Sequence, residues 1–247
     1  KYNLDRIADI WNYFILEYDF CSKKIKFTPE VRTNYFGDIL GYFYDTFDII
    51  FDKRESNSYS DRFSNQISLL QCIYIQQDFI EELLLIFKCN INKGQLKKDP
   101  NYYMNREIRN ELVGHPIRKI SGQLISSCLF GYNGDSEKII YLRYHKNNNY
   151  EFESMEFKVS EIILRHKQFL DKYFSIILKK LKKMISDFVK EIEKLEILIE
   201  KKTFEEIFEI AFENNTIKSE NCQRIYTLKD AYLQPLDDVI AFLQGKK

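Results

Sequence analysis

The sequence runs to 247 residues and 29.8 kDa, which is room for one large domain, or a domain with an appendage, and enough to bury a core without staples. Hydrophobic residues are 45% and charged residues 30%, which excludes a disordered chain, and 37 basic residues balance 37 acidic ones, which excludes a globally basic nucleic-acid coat and a polyacidic tail. Eight glycines and four prolines, together about 5% against an average near 12%, argue against turn-dense all-β folds and Gly-rich loops.

Apolar residues at Leu4, Ile7, Ile10/Trp11, Phe14/Ile15 and Tyr18 have helical spacing and predict a helix within residues 3–25. Thr28-Pro29-Glu30 is a helix start, with a capping hydroxyl, a first-turn proline and an acid near the positive dipole end; that helix runs to about Phe51. After a polar loop at 53–61, a long helix from about Arg62 to Cys89 is apolar on several faces, as the centre of a bundle would be. Asp99-Pro100 starts a helix over about 101–113, with Gly114 placed as its C-terminal cap and Pro116 preventing continuation. The pattern changes near residue 122. Leu124–Phe130, Ile139–Tyr144 and Tyr150–Phe157 are β-type runs separated by turn chemistry at Gly131–Asp135 and His145–Asn149, which predicts a small antiparallel meander. Val159 to Ile199 keeps near-heptad apolar spacing over a long helix. Thr203 caps a further helix to about Phe212, and a last one covers about 229–243. The fold class expected is mainly α, a helical bundle with a small antiparallel β insertion. The expected organisation is a bundle core at 1–121, the β insertion at 122–157 and C-terminal helices at 158–247 packing on the core.

Five widely spaced cysteines, with no CxxC and no Cys/His cluster, read as reduced buried thiols of a cytoplasmic protein. No stretch reads as a signal peptide, and the longest apolar run, Leu83 to Phe87, is far too short for a membrane span. A start at Lys1 rather than Met makes residues ahead of it an expectation. Phosphate-loop, dinucleotide, zinc-protease, serine-hydrolase and EF-hand patterns are absent, and His115, His145 and His166 stand at unrelated spacings, so neither a metal nor a cofactor is expected. The Asp/Glu pairs read as solvated helix faces. Residues 164–183 hold Arg165, Lys167, Lys172, Lys179, Lys180, Lys182 and Lys183 against Asp171, a local +6 that either tracks phosphates or is a solvated face.

One segment carries chemistry: Arg106-Glu107-Ile108-Arg109-Asn110-Glu111-Leu112-Val113-Gly114-His115-Pro116. A histidine titrates near working pH and suits proton transfer, while arginine presents a fixed fork of donors to phosphate oxygens. On an ideal helix six steps of 100° put Arg109 and His115 about 120° apart, so unwinding at Gly114, or a histidine from a second subunit, is needed to bring the two functions together.

The RNxxxxH pattern of Arg109, Asn110 and His115 resembles the motif of the HEPN family. The resemblance covers about half of the chain; the β insertion and the long C-terminal helix lie outside it. It implies a helical bundle whose motifs pair in a composite cleft of a homodimer, and a metal-independent endoribonuclease acting on RNA. It also implies a toxin or antiviral defence effector, with an antitoxin or activating partner. Arg109, His115 and Asn110 are the candidate catalytic residues, and Arg106, Arg118 and Lys119 the candidate RNA phosphate contacts. Two other readings stay open: a non-catalytic helical dimerisation or interaction module, and a nucleotide-binding module.

Overall fold

The computed structural model describes residues 1–52, 58–91, 94–129 and 135–199. The chain divides into two units, residues 1–186 and 187–247, and of the second only 187–199 is described, as helix. The helices expected beyond residue 200, Cys222 and the turn at 131–134 lie outside the described residues.

The fold is mainly α with one small antiparallel sheet. The first helix, α1 (Tyr2–Ile10), widens into a π-helical turn at Trp11–Ile15, and a short α2 (Asp19–Ser22) follows, where the sequence predicted a single helix. Trp11 stacks on Phe36 at 3.8 Å and meets Phe87 edge-on at 6.4 Å, which ties this end of the chain to the next two helices. The Thr28 hydroxyl accepts from the Val31 amide, as its capping role requires, and another π-helical turn at Val31–Tyr35 leads into α3 (Phe36–Phe51). Ser58 caps α4 (Tyr59–Ile86) through the Asp61 amide, so this helix begins three residues earlier than its apolar pattern suggests.

α4 is the centre of the bundle, with Leu70, Ile73, Ile80 and Leu83 fully buried. It also buries two amides that the apolar reading passes over. The Gln76 amide donates to the Thr46 hydroxyl of α3 at 2.8 Å, and its oxygen lies 2.8 Å from His166 Nε2; the Gln77 amide donates to the Tyr102 carbonyl at 3.1 Å. Burial pushes the His166 imidazole down to about 3, so it is neutral. Asp99 caps α5 (Pro100–Arg109) through the Asn101 amide, and its other oxygen takes bonds from Lys172 and Tyr173. Burial works against the charge on Asp99, yet these donors hold it below the usual carboxylate range.

The sheet has the order β1-β2-β3-β4, every neighbour antiparallel: β1 (Ile117–Ile120), β2 (Gln123–Leu129), β3 (Lys138–His145) and β4 (Phe152–Lys158). The expected meander supplies three of these strands. The fourth, β1, precedes the change of character at 122 and closes on β2 through Ser121 and Gly122, both left-handed, as a two-residue hairpin requires. Ile139 and Tyr141 of β3 share a core with Ile50 of α3, Leu70 and Ile73 of α4, Ile108 of α5 and Ile162. The sheet and these helices therefore share one hydrophobic core. β4 runs without a loop into α6 (Val159–Ile199), which buries Ile162, Phe169, Leu170, Ile177 and Leu181.

The basic block on α6 is not a uniform solvated face: Lys172 reaches Asp99, and Arg165 Nε donates to Asn105 Oδ1 at 3.0 Å. Nor are all the acids solvated, since Asp99 and Glu111 are buried. Cys21 and Cys72 are buried thiols as expected, whereas Cys128 is exposed because it sits on the outer face of β2.

Candidate functional site

The motif lies where α5 ends, and the local geometry follows from one widened turn. α5 stops at Arg109, and Asn110–Gly114 form a π-helical turn closed by the His115 amide donating to the Asn110 carbonyl at 2.7 Å. His115 then leaves the helix with φ −142° and ψ 63°. The extra residue in the turn changes the angular relation that an ideal helix would impose between Arg109 and His115. Gly114 is not a left-handed cap, because its φ is not positive. Its lack of a side chain serves a close approach: a Cβ there would stand 2.7 Å from Arg109 Nη1.

Arg109 is held from three sides. Its Nε and Nη2 donate to Gln71 Oε1 at 3.1 and 3.0 Å, Nη1 donates to Asn110 Oδ1 at 3.2 Å, and its guanidinium carbon lies 3.9 Å from the centre of the Tyr74 ring. Three of five N–H groups are thus engaged, and two remain for an anion. Arg106, one turn earlier, also lies 3.9 Å from the Tyr74 ring centre and makes a 2.6 Å ion pair with Asp78. That pairing occupies the charge expected to contact phosphate. Gln71, Tyr74 and Asp78 follow one another at steps of three and four along α4, so they present one polar stripe to α5. The sequence reading missed this stripe because the helix around it is so apolar; polar residues at that spacing were the available signal.

Between the candidate catalytic residues stands Glu111, buried at 7% exposure. Its carboxylate accepts from Arg143 Nε and Nη2 at 2.7 and 2.6 Å, from Arg118 Nη2 at 2.6 Å and from the Tyr141 hydroxyl at 2.5 Å. Burial alone would raise its pKa; the bonds from Arg143, Tyr141 and Arg118 outweigh that and bring it down to about 2. Arg118 also donates to the His115 carbonyl at 3.1 Å. It therefore braces the motif turn rather than standing as an open phosphate contact. Two strands, β1 and β3, thus hold the turn that carries His115.

The His115 side chain is exposed and makes no hydrogen bond among the described residues, and none links its imidazole to Arg109. Lys119 is exposed on β1 and has no ion pair among the described residues. The structure therefore brings Arg109, Asn110 and Gly114 together, sets His115 at the rim of the same turn, ties Arg106 and Arg118 to carboxylates, and leaves Lys119 to solvent. A cavity of about 240 Å³ lined by Arg62, Asn65, Gln66, Ser136 and Ser160 contains none of the motif residues. Among the described residues no three His, Cys, Asp or Glu side chains are grouped to hold a metal ion, and no helix is long and apolar enough to cross a membrane. Compared with known proteins, the chain matches no family model, no curated protein and no solved structure.

Proposed function

We propose that the chain is a metal-independent endoribonuclease of HEPN type, working as a homodimer in which the turns of two subunits share one cleft. The observation that carries the reading is Arg109, clamped by Gln71, Asn110 and Tyr74 with two N–H groups to spare, one widened turn from an exposed histidine. A fixed guanidinium stabilises the charge that builds on phosphate oxygens in the transition state without reorganising. The chemistry is internal transfer. A histidine takes the proton of the RNA 2′-OH as its oxygen bonds to phosphorus. The bond from phosphorus to the 5′-oxygen breaks, and that oxygen leaves with a proton from the histidine of the second subunit. The products are a 2′,3′-cyclic phosphate and a 5′-OH. A role as a toxin or antiviral effector fits such an activity and belongs to the same proposal.

Purified full-length protein is incubated with end-labelled RNA, with and without EDTA, beside a His115→Ala variant. Cleavage should persist in EDTA, leave cyclic phosphate ends and spare RNA with 2′-methoxy groups. His115→Ala should cut at least about a hundredfold more slowly. Cutting of a 2′-methoxy substrate, or wild-type rates in His115→Ala, would overturn the reading.

A further inference from the structure

We infer that the outer face of the sheet is a stacking platform for unpaired bases of a single-stranded RNA, which rests on the reading above that RNA is the substrate. Opposed residues on neighbouring strands share a face. The pairs Ile117↔Ser126, Ser126↔Tyr144 and Tyr144↔Phe152 therefore form one row across all four strands, on the side away from buried Ile139 and Tyr141. Three strand spacings make the row about 14 Å long, which suits two or three bases laid across a sheet. One end is aromatic: Phe152 and Tyr150 are 64% and 57% exposed, with ring centres 5.5 and 5.9 Å from that of Tyr144. The other end is Ile117, two residues from His115. The platform is thus continuous with the candidate cleavage turn.

Two independent features favour a nucleic acid there over a second protein. Tyr150 adopts φ +61°, directly after Asn149 at +52°, a conformation that a bulky residue holds only at a cost, and it leaves a large ring in solvent. The face is also basic. Lys119 stands on it without an ion pair among the described residues, while Lys138 is paired with Glu156 and Lys158 with Glu161 of α6. A flexible polyanion with π-faces satisfies both features. Stacking is tolerant of sequence, so recognition of the strand is separated from the chemistry at the turn.

The test measures binding of a fluorescent 2′-methoxy oligonucleotide of about ten unpaired residues, which cannot be cut, to the full chain. The same oligonucleotide in a duplex is the comparison. Phe152→Ala and Tyr150→Gly change exposed positions, and glycine accepts the left-handed backbone. Each should weaken single-strand binding by about tenfold, while Lys119→Ala should lower the salt dependence by about one ion. Unchanged affinity in both aromatic variants, or equal affinity for duplex and single strand, would overturn the platform. So would a shift from dimer to monomer in those variants with RNA affinity intact, because the face would then be a protein interface. If the wild type binds with this aromatic dependence but cuts no RNA, the platform stands and the nuclease reading falls.

Discussion

Gly114 is the residue on which the geometry of Arg109 turns. An alanine there would put its methyl group at 2.7 Å from Arg109 Nη1. The guanidinium is the far end of a half-buried side chain, so it is the group that must shift, and it surrenders the bonds to Gln71 and Asn110 as it does. Gly114→Ala should therefore cost about 1–3 kcal/mol of stability, as lost hydrogen bonds to a charged group do, while RNA cleavage drops by about a hundredfold, as misplaced catalytic groups do. Paired melting curves and cleavage rates check this, and wild-type cleavage would show that the position of Arg109 does not matter to the reaction. The sequence placed this glycine correctly as the end of a helix but for a different physical reason. A left-handed cap and a close approach both require glycine, and only coordinates distinguish them.

At the scale of elements, Glu111 joins the end of α5 to β1 and β3. Removing it strands two guanidinium groups and a phenol around an empty site, and breaking a buried pair typically costs about 3–5 kcal/mol. Glu111→Ala should show that loss in urea unfolding at neutral pH. The pH dependence has a definite sign. The carboxyl titrates near 4.5 when unfolded and at about 2 when folded. Its stabilisation is therefore complete above about pH 5 and disappears as pH falls from 4.5 towards 2. The stability curve of Glu111→Gln should be flatter than that of wild type across that window; identical slopes would remove Glu111 from the account. Helices α3 to α6 and three of the strands were legible in the sequence, because apolar spacing and caps such as Asp99 and Thr28 are local signals. β1 was not, because four residues next to Pro116 carry little pattern, although Ser121-Gly122 marked its hairpin. The motif residues were legible as a string of letters. Their supports, Gln71, Tyr74, Tyr141 and Arg143, were not, because each is brought in from 30 or more residues away.

At the scale of the whole molecule, the proposed chemistry asks for a second proton carrier beside the one exposed histidine, and a two-fold axis beside the turn at 106–116 would supply it. Light scattering at tens of micromolar should report a homodimer; a monomer with full RNA-cutting activity would rule out a shared cleft. The link between Glu111 and Arg143 also has a consequence in time. Their separation of 32 residues means that the ribosome presents the motif well before the strand that neutralises its carboxylate. At roughly 5–20 residues per second, that is a delay of about 2–6 seconds. Through this interval, and for as long as the exit tunnel hides β3, the turn has Arg118 but lacks Tyr141 and Arg143. If the proposed nuclease activity holds, it rests on a turn that is completed only after β3 has left the tunnel.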